Sequence, residues 1–338
     1  MHFAPGKGAA VAGSTLHGVP SLLWEGRWAW RFGLVWLARI AQRLRPDVVH
    51  THQVLPAGYA AALARLSPHV ATAWGSEVLL ASKPRQRRAI RRVAQHADLL
   101  TADSTHLLEA LRALGARQER LRLVPWGVDP DWATAAKGLP PRVAAAQAGL
   151  PPERPIVLSP RGTVEVYRPE LVLRALALAV QGTPDLLGVV AYDMAANVIP
   201  LGVLEKLASD LGLSSNVIFH PKWPHEEMPF VYRAAKVCVS VPESDSAPIS
   251  VIEALALGTP AIVSDLPWVH EEPYREAELD VVPRDDAGAL AEAITRSLAA
   301  NGHGASEANQ RLVAERFDRR ALFKEMESEY ERLAGHSG

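Results

Sequence analysis

The chain has 338 residues, 48% of them hydrophobic, which is enough apolar material for large cores and a length typical of two domains. A single cysteine, Cys238 in the apolar run KVCVSV, excludes a disulfide framework and fits a reducing cytoplasm. The formal net charge of −1 hides an asymmetry, because residues 1–150 carry 19 Lys and Arg against 9 Asp and Glu while the remainder carries 17 against 28. Either the basic half meets something anionic or the two halves have drifted apart in charge.

Read from the start, the chain shows no signal peptide, and the apolar stretch FGLVWLA, flanked by Arg31 and Arg39, is too short to span a bilayer. Short β-rich runs then alternate with helical ones. Strands are expected at 47–52, 69–74, 98–103 and 121–125, with helices over 56–66, 83–96 and 105–114 between them. Periodicity is lost across 127–153, a run rich in Pro, Ala and Gly that reads as a linker and domain boundary. It resumes with strands at 155–159, 187–192, 217–220, 236–241, 260–264 and 279–283. Helices at 169–181, 200–211, 225–235 and 248–257 separate most of these, and helices 286–300, 305–316 and 319–334 finish the chain. Strands joined by helix-length crossovers imply parallel sheets covered on both faces, hence a two-domain α/β protein whose ligands bind at the carboxyl ends of strands.

The stretch PESDSAPISVIEALALGTPAIVSD, residues 242–265, lies at such an end. Pro248 suits the first turn of a helix and Gly258 its C-cap, so the N–H groups of about 248–251 are free to hold a phosphate. Asp245 precedes that helix and Glu253 lies one and a half turns inside it. Donor N–H groups for a diphosphate with carboxylates for sugar hydroxyls are what a nucleotide sugar requires. The plainer alternative is a capping acid and a buried Glu paired with an Arg.

The segment SDSAPISVIEALALGTPAIVSD resembles the E-x7-E motif of family 4 retaining glycosyltransferases, which have the GT-B fold of two Rossmann-like domains with parallel sheets facing a cleft. Other segments resemble that family in the same order: DVVHTHQ, LRLVPWGVD, VLSPRG (157–162), PHEEMPFVYRAAKVCVSVP and the final ERFDRRALFKEMESEYERL. The likeness runs from about residue 45 to 333. It implies an N-terminal acceptor-side domain over 1–140, a nucleotide-sugar-binding domain over 150–316, and a C-terminal helix, 317–338, crossing back to the first domain. It implies a cytoplasmic hexosyltransferase moving a sugar from a UDP- or GDP-sugar to an acceptor hydroxyl with retention, with no metal or other cofactor required. A role in cell-envelope glycolipid or polysaccharide synthesis goes with it.

By the same resemblance, Asp245, Arg161 and His52 form the catalytic set. Asp245 orients the donor sugar, Arg161 neutralises the diphosphate, and His52, with Glu77, faces the acceptor. Glu253 accepts hydrogen bonds from the ribose, and the backbone of Ala247, Pro248, Ile249 and Ser250 cradles the distal phosphate. His50 and His52 share a strand face, but no third ligand stands nearby to make a metal site.

Four departures from the family pattern stand out. Asp245 occupies a position where Glu is usual. The Lys expected shortly after Arg161 is missing, leaving Arg168 or Tyr167 to substitute. Trp74 stands where many members have His, and Trp can stack on a sugar but cannot shuttle a proton. Finally, the usual first strand, Gly-rich loop and first helix are not recognisable: GKGAAVAG is Gly-rich, yet no apolar strand precedes it, so the N-terminal domain reads as truncated. These departures keep open an alternative, a degenerate, non-catalytic GT-B scaffold that binds a nucleotide or a protein partner.

Two further stretches bear on partners. KPRQRRAIRR (83–92) has six basic residues in ten, and LLWEGRWAWRFGLVWLARIAQRLR mixes four Trp with Arg. Both suit peripheral contact with an anionic membrane at its inner face, in a protein whose acceptor is a sugar or lipid-linked; the alternative is a solvated Arg-rich helix and a Trp-filled core. No nucleic-acid-binding motif accompanies the basic residues.

Overall fold

A computed structural model describes residues 2–5, 16–19, 29–192, 198–300 and 307–335. The chain divides into two compact units, the first comprising residues 1–102, 108–122 and 328–338, the second residues 103–107 and 123–327.

In the first unit, strands β1 (His2–Pro5) and β2 (Leu16–Val19) pair in parallel as a two-stranded sheet of their own. β1 stands directly ahead of the glycine-rich run, where the sequence offered no apolar strand; the run itself, residues 6–13, lies outside the described residues, as do Trp24 and Trp28. Helix α1 (Ala29–Leu44) leads into β3 (Val49–His52), α2 (Tyr59–Leu63), β4 (His69–Thr72) and α3 (Ser76–Leu79). The basic helix α4 (Pro84–His96), β5 (Leu99–Ala102), α5 (Thr105–Ala113) and β6 (Leu121–Leu123) follow. The strands form a four-stranded sheet in the order β3-β4-β5-β6. α4 buries Ile90, Val93 and Ala94 on one stripe and leaves Lys83, Arg85, Arg87, Arg88, Arg91 and Arg92 exposed, which is why so charged a segment still packs.

The second unit opens with α6 (Pro130–Thr134) and α7 (Pro141–Gln147), two short helices inside the stretch where periodicity fails. Pro130 and Pro141 each sit at the start of a helix, where the missing N–H costs nothing. The remaining elements are β7 (Ile156–Ser159), α8 (Pro169–Ala179), β8 (Leu187–Tyr192), α9 (Leu201–Asp210), β9 (Val217–Pro221), α10 (Met228–Ala234) and β10 (Val237–Ser240). Then come α11 (Ile249–Ala256), β11 (Ala261–Ser264), β12 (Asp280–Val282), α12 (Ala287–Ala299), α13 (Glu307–Arg316) and α14 (Arg319–Leu333), the last of which belongs to the first unit from residue 328 onward.

Their six strands are all parallel, in the order β12-β11-β10-β7-β8-β9. Alternate side chains serve opposite faces: Ile156 and Leu158 join a core with α7 and α10, while Val157 joins one with α8, α9 and α12. The strand order reverses between β7 and β10, and loops from adjacent strands part at such a switch point to leave a binding crevice.

Gly127 marks a close approach inside this unit. A β-carbon there would lie 2.5 Å from the Arg319 Cα. The neighbouring backbone is zipped to the start of α14, with Val128 N–H donating to the Phe317 carbonyl (2.8 Å) and Arg319 N–H to the Val128 carbonyl (3.1 Å).

Candidate functional site

Arg161 follows the end of β7 and Asp245 the end of β10, so the two strands flanking the reversal each deliver one residue. Their side chains meet, Arg161 Nη2 donating to Asp245 Oδ2 at 2.5 Å, and both are nearly buried. The Tyr167 ring packs against the guanidinium, 4.3 Å from ring centre to Cζ. The other Asp245 oxygen accepts the Ser246 N–H at 3.0 Å. Burial raises the Asp245 carboxyl above the ordinary range despite the opposing pull of Arg161. The buried Arg161 Nε has no acceptor among the described residues.

Arg168, the other candidate for diphosphate neutralisation, takes a left-handed backbone conformation between a short 3₁₀ turn and α8. Its guanidinium is engaged by Glu170 (2.7 Å) and Asp285 (2.5 Å). Of the two proposed substitutes for the missing Lys, Tyr167 is the one that touches Arg161.

α11 starts one residue later than the sequence indicates. Pro248 is its N-cap, in extended conformation, and carries no N–H. The Val251 N–H returns to the Pro248 carbonyl at 3.1 Å. The first-turn donors without an intrahelical acceptor are therefore those of Ile249 and Ser250. Ala247 is buried, and the buried Ser250 Oγ also lacks a partner among the described residues. Gly258, at φ +76°, ends the helix in the left-handed conformation that glycine tolerates best.

Glu253 is held by a residue that sequence spacing did not reveal. Tyr232 of α10 donates its hydroxyl to Glu253 Oε2 at 2.9 Å. His225 Nδ1 lies 3.9 Å from the other oxygen. His225 in turn stacks on Trp132, ring centroids 5.1 Å apart and nearly coplanar, while Trp132 Nε1 donates to the His225 carbonyl. Burial pushes the Glu253 carboxyl up to about 7, against the lowering effects of Tyr232 and Arg319.

A third buried carboxyl, Asp103, also escaped the sequence reading. It follows β5, is 2% exposed, and accepts the Ser246 hydroxyl at 2.9 Å. Burial raises it to about 7. The only clue in the sequence is an acid ending an otherwise apolar strand.

In the first unit His52 stacks on His50 with centroids 4.4 Å apart and meets Trp74 edge-on at 6.5 Å. His50 is fixed by Tyr330 (2.5 Å) and Thr72 (2.7 Å). Glu77 turns one carboxylate oxygen to the backbone, accepting the N–H of Trp74 (2.9 Å) and of Val54 (3.3 Å). Trp74 is half exposed. Among the described residues no group of three His, Cys, Asp or Glu side chains is placed to hold a metal ion.

Residues 3–132 match the model for Glycosyltransferase Family 4, and residues 143–315 match the model for Glycosyl transferases group 1. The chain belongs to the family 4 glycosyltransferases. It is 31% identical over 244 residues to a D-inositol 3-phosphate glycosyltransferase of Nocardia farcinica, a match spanning 70% of this chain and 50% of the relative. A D-inositol 3-phosphate glycosyltransferase of Mycolicibacterium vanbaalenii is 31% identical over 297 residues, spanning 82% of this chain and 62% of the relative. The chain thus spans about half to two thirds of the length of these relatives.

Among solved structures, sucrose-phosphate synthase of Thermosynechococcus elongatus superposes with a TM-score of 0.79 at 22% identity, covering 94% of this chain and 80% of the other. Anabaena Alr3699/HepE in complex with UDP and glucose gives 0.77 at 16% identity, covering 94% and 86%. The fold of this family 4 member is GT-B.

Proposed function

We propose that this glycosyltransferase moves a sugar from a nucleoside diphosphate sugar, with UDP or GDP as the carrier, to an acceptor hydroxyl with retention at the anomeric carbon. One observation carries the reading: Arg161 and Asp245 meet at the strand reversal, beside the start of α11. A diphosphate there gives the unpartnered Arg161 Nε an acceptor, and the N–H groups of Ile249 and Ser250 and the Ser250 hydroxyl supply further donors. Arg161 bridges from Asp245 to the phosphate and stabilises the charge that grows there as the glycosidic bond breaks. Asp245 takes the sugar hydroxyls, and Glu253, oriented by Tyr232, takes the ribose. The leaving phosphate receives the acceptor's proton on the same face, so the chain's part is placement and neutralisation rather than nucleophilic attack.

His52 is assigned to the acceptor side. The solved complexes of Anabaena Alr3699/HepE with UDP-glucose and with UDP and glucose support the choice of donor class. A lipid-linked or sugar acceptor in envelope synthesis, with α4 turned to an anionic bilayer surface, is the corresponding reading of the six exposed basic residues. No described helix is long and apolar enough to cross a membrane.

The non-catalytic alternative has one observation in its favour. Arg168 is committed to Glu170 and Asp285, leaving Arg161 as the cation at the Asp245 site. Donor hydrolysis decides between the two readings. Turnover of a UDP- or GDP-sugar that Glu253→Ala abolishes supports the enzyme; nucleotide binding without turnover of any donor, with acceptor mixtures present, supports the scaffold.

A further inference from the structure

Asp103 is buried to 2% exposure beside the loop that carries Asp245, and no role assigned so far uses it. Its Oδ2 accepts the Ser246 hydroxyl at 2.9 Å, and Ser246 is the residue whose N–H caps Asp245 Oδ1 at 3.0 Å. Trp126 donates a second side-chain hydrogen bond to the carboxyl, and Tyr274 donates its hydroxyl to the Asp103 carbonyl at 2.5 Å. The other carboxyl oxygen, Oδ1, is buried with no partner among the described residues.

We propose that Asp103 is a positioning residue: through Ser246 it fixes the loop that presents Asp245 to Arg161. The inference rests on the donor-site reading above. Two buried acids close enough to repel cannot both ionise without cost, and the counter-charge, Arg161, lies on Asp245. The groups that favour ionisation of Asp103 are hydrogen-bond donors, Ser246, Trp126 and its own backbone N–H, with no cation among them. The other titratable groups nearby are no help to an anion. Tyr274 is itself raised, chiefly by burial, and Glu271 turns its Oε1 to the His106 N–H. A diphosphate arriving at Arg161 adds more, and so deepens the preference for the proton.

The test is the affinity of the full chain for UDP and for GDP, the profiles being compared on whichever binds, measured by calorimetry from pH 6 to 8.5 for wild type, Asp103→Asn, Asp103→Ala and Ser246→Ala. Glu253 titrates in the same range, so the readout is the difference between wild type and Asp103→Asn rather than either profile alone. Asp103→Asn is expected to match wild type at pH 6 and to bind roughly three- to tenfold more tightly at pH 8.5, a coupling of half to one pKa unit. Ser246→Ala and Asp103→Ala are expected to bind at least about fivefold more weakly than Asp103→Asn across the range, with sugar turnover falling in kcat more than KM rises. Superimposable wild-type and Asp103→Asn profiles, or a Ser246→Ala protein that binds and turns over like wild type, overturn the inference while leaving the donor site intact. Absence of UDP and GDP binding by every protein, wild type included, sinks the donor-site reading and this inference with it. Ser246→Ala, which removes only a hydroxyl, and Asp103→Asn, which keeps the shape and removes the ability to ionise, keep the test decisive if Asp103→Ala does not fold.

Discussion

Arg161 and Asp245 are 84 positions apart in sequence, yet their side chains meet at 2.5 Å with both nearly excluded from water. Such a pair is a weak source of stability while intact, but removal of one partner strands a buried charge, typically at about 3–5 kcal/mol. Asp245→Ala is therefore expected to lower the melting temperature of the free protein strongly. Because a diphosphate can replace the lost carboxylate as counter-charge, saturating UDP or GDP is expected to restore more stability to Asp245→Ala than it adds to wild type. Calorimetric melting with and without nucleotide checks this, and an equal nucleotide increment in both proteins contradicts it.

Arg161→Ala carries the complementary expectation. It leaves Asp245 buried, already raised and now without a counter-charge, so the carboxyl takes up a proton and the fold survives. The nucleotide response is expected to be lost, since the proposed donor site relies on the Arg161 guanidinium to meet the phosphate. A thermal-shift series against UDP, GDP and ADP is expected to show a shift for wild type with UDP or GDP and none for Arg161→Ala with any of the three.

Much of this site could be read from the chain because its parts lie in local patterns. Strands such as IVLS, LGVVAY, VCVS and AIVS are apolar runs bounded by turn residues, which central parallel strands must be when both faces are covered. Asp245, Pro248 and Glu253 share one loop and helix, so their mutual geometry follows from helical periodicity. Tyr232, His225 and Trp132 come to Glu253 from other elements, and no spacing encodes that meeting. The resemblance offers Arg168 or Tyr167 in place of the missing Lys; Arg168 takes a left-handed backbone conformation and its guanidinium pairs with Glu170 and Asp285, a meeting that no spacing encodes. α6 and α7 were hidden because Pro130 and Pro141 read as breakers when they are helix starters. β1 and β2, four residues each, are too short to show any period.

The pH dependence of stability has two opposed sources. Glu253 stands at about 7 when folded against 4.5 otherwise, so folding takes up a proton. Its contribution is intact below about 4.5 and is lost as pH rises through 7, by an amount on the order of 3 kcal/mol. His50 and His69, lowered by burial to about 3 and about 4, act the other way. The unfolded chain takes up their protons as pH falls below 6.5 while the folded chain resists, so stability declines toward acid. Urea midpoints are expected to fall on both sides of a maximum near pH 5–6.5. Glu253→Gln is expected to make the alkaline limb shallower without abolishing it, because Asp103, also raised to about 7, shares that limb, and to leave the acid limb unchanged; an unchanged alkaline limb in that variant contradicts the assignment.

Two glycines make a matched pair for the last expectation. At Gly127 a methyl group would sit 2.5 Å from the Arg319 Cα and 2.8 Å from its nitrogen, backbone atoms that cannot swing aside. Gly127→Ala must therefore prise the Val128–Phe317 and Arg319–Val128 hydrogen bonds apart or strain the turn, at a cost of about 1–3 kcal/mol. At Gly202, in the first turn of α9, a methyl group meets nothing within 4 Å, and the position is helical. There Gly202→Ala reduces the freedom of the unfolded chain and is expected to add up to about 1 kcal/mol. Equilibrium unfolding of the two variants side by side measures both. Equal effects at the two positions would mean that the start of α14 is not fastened at residues 127–129 as the structure has it.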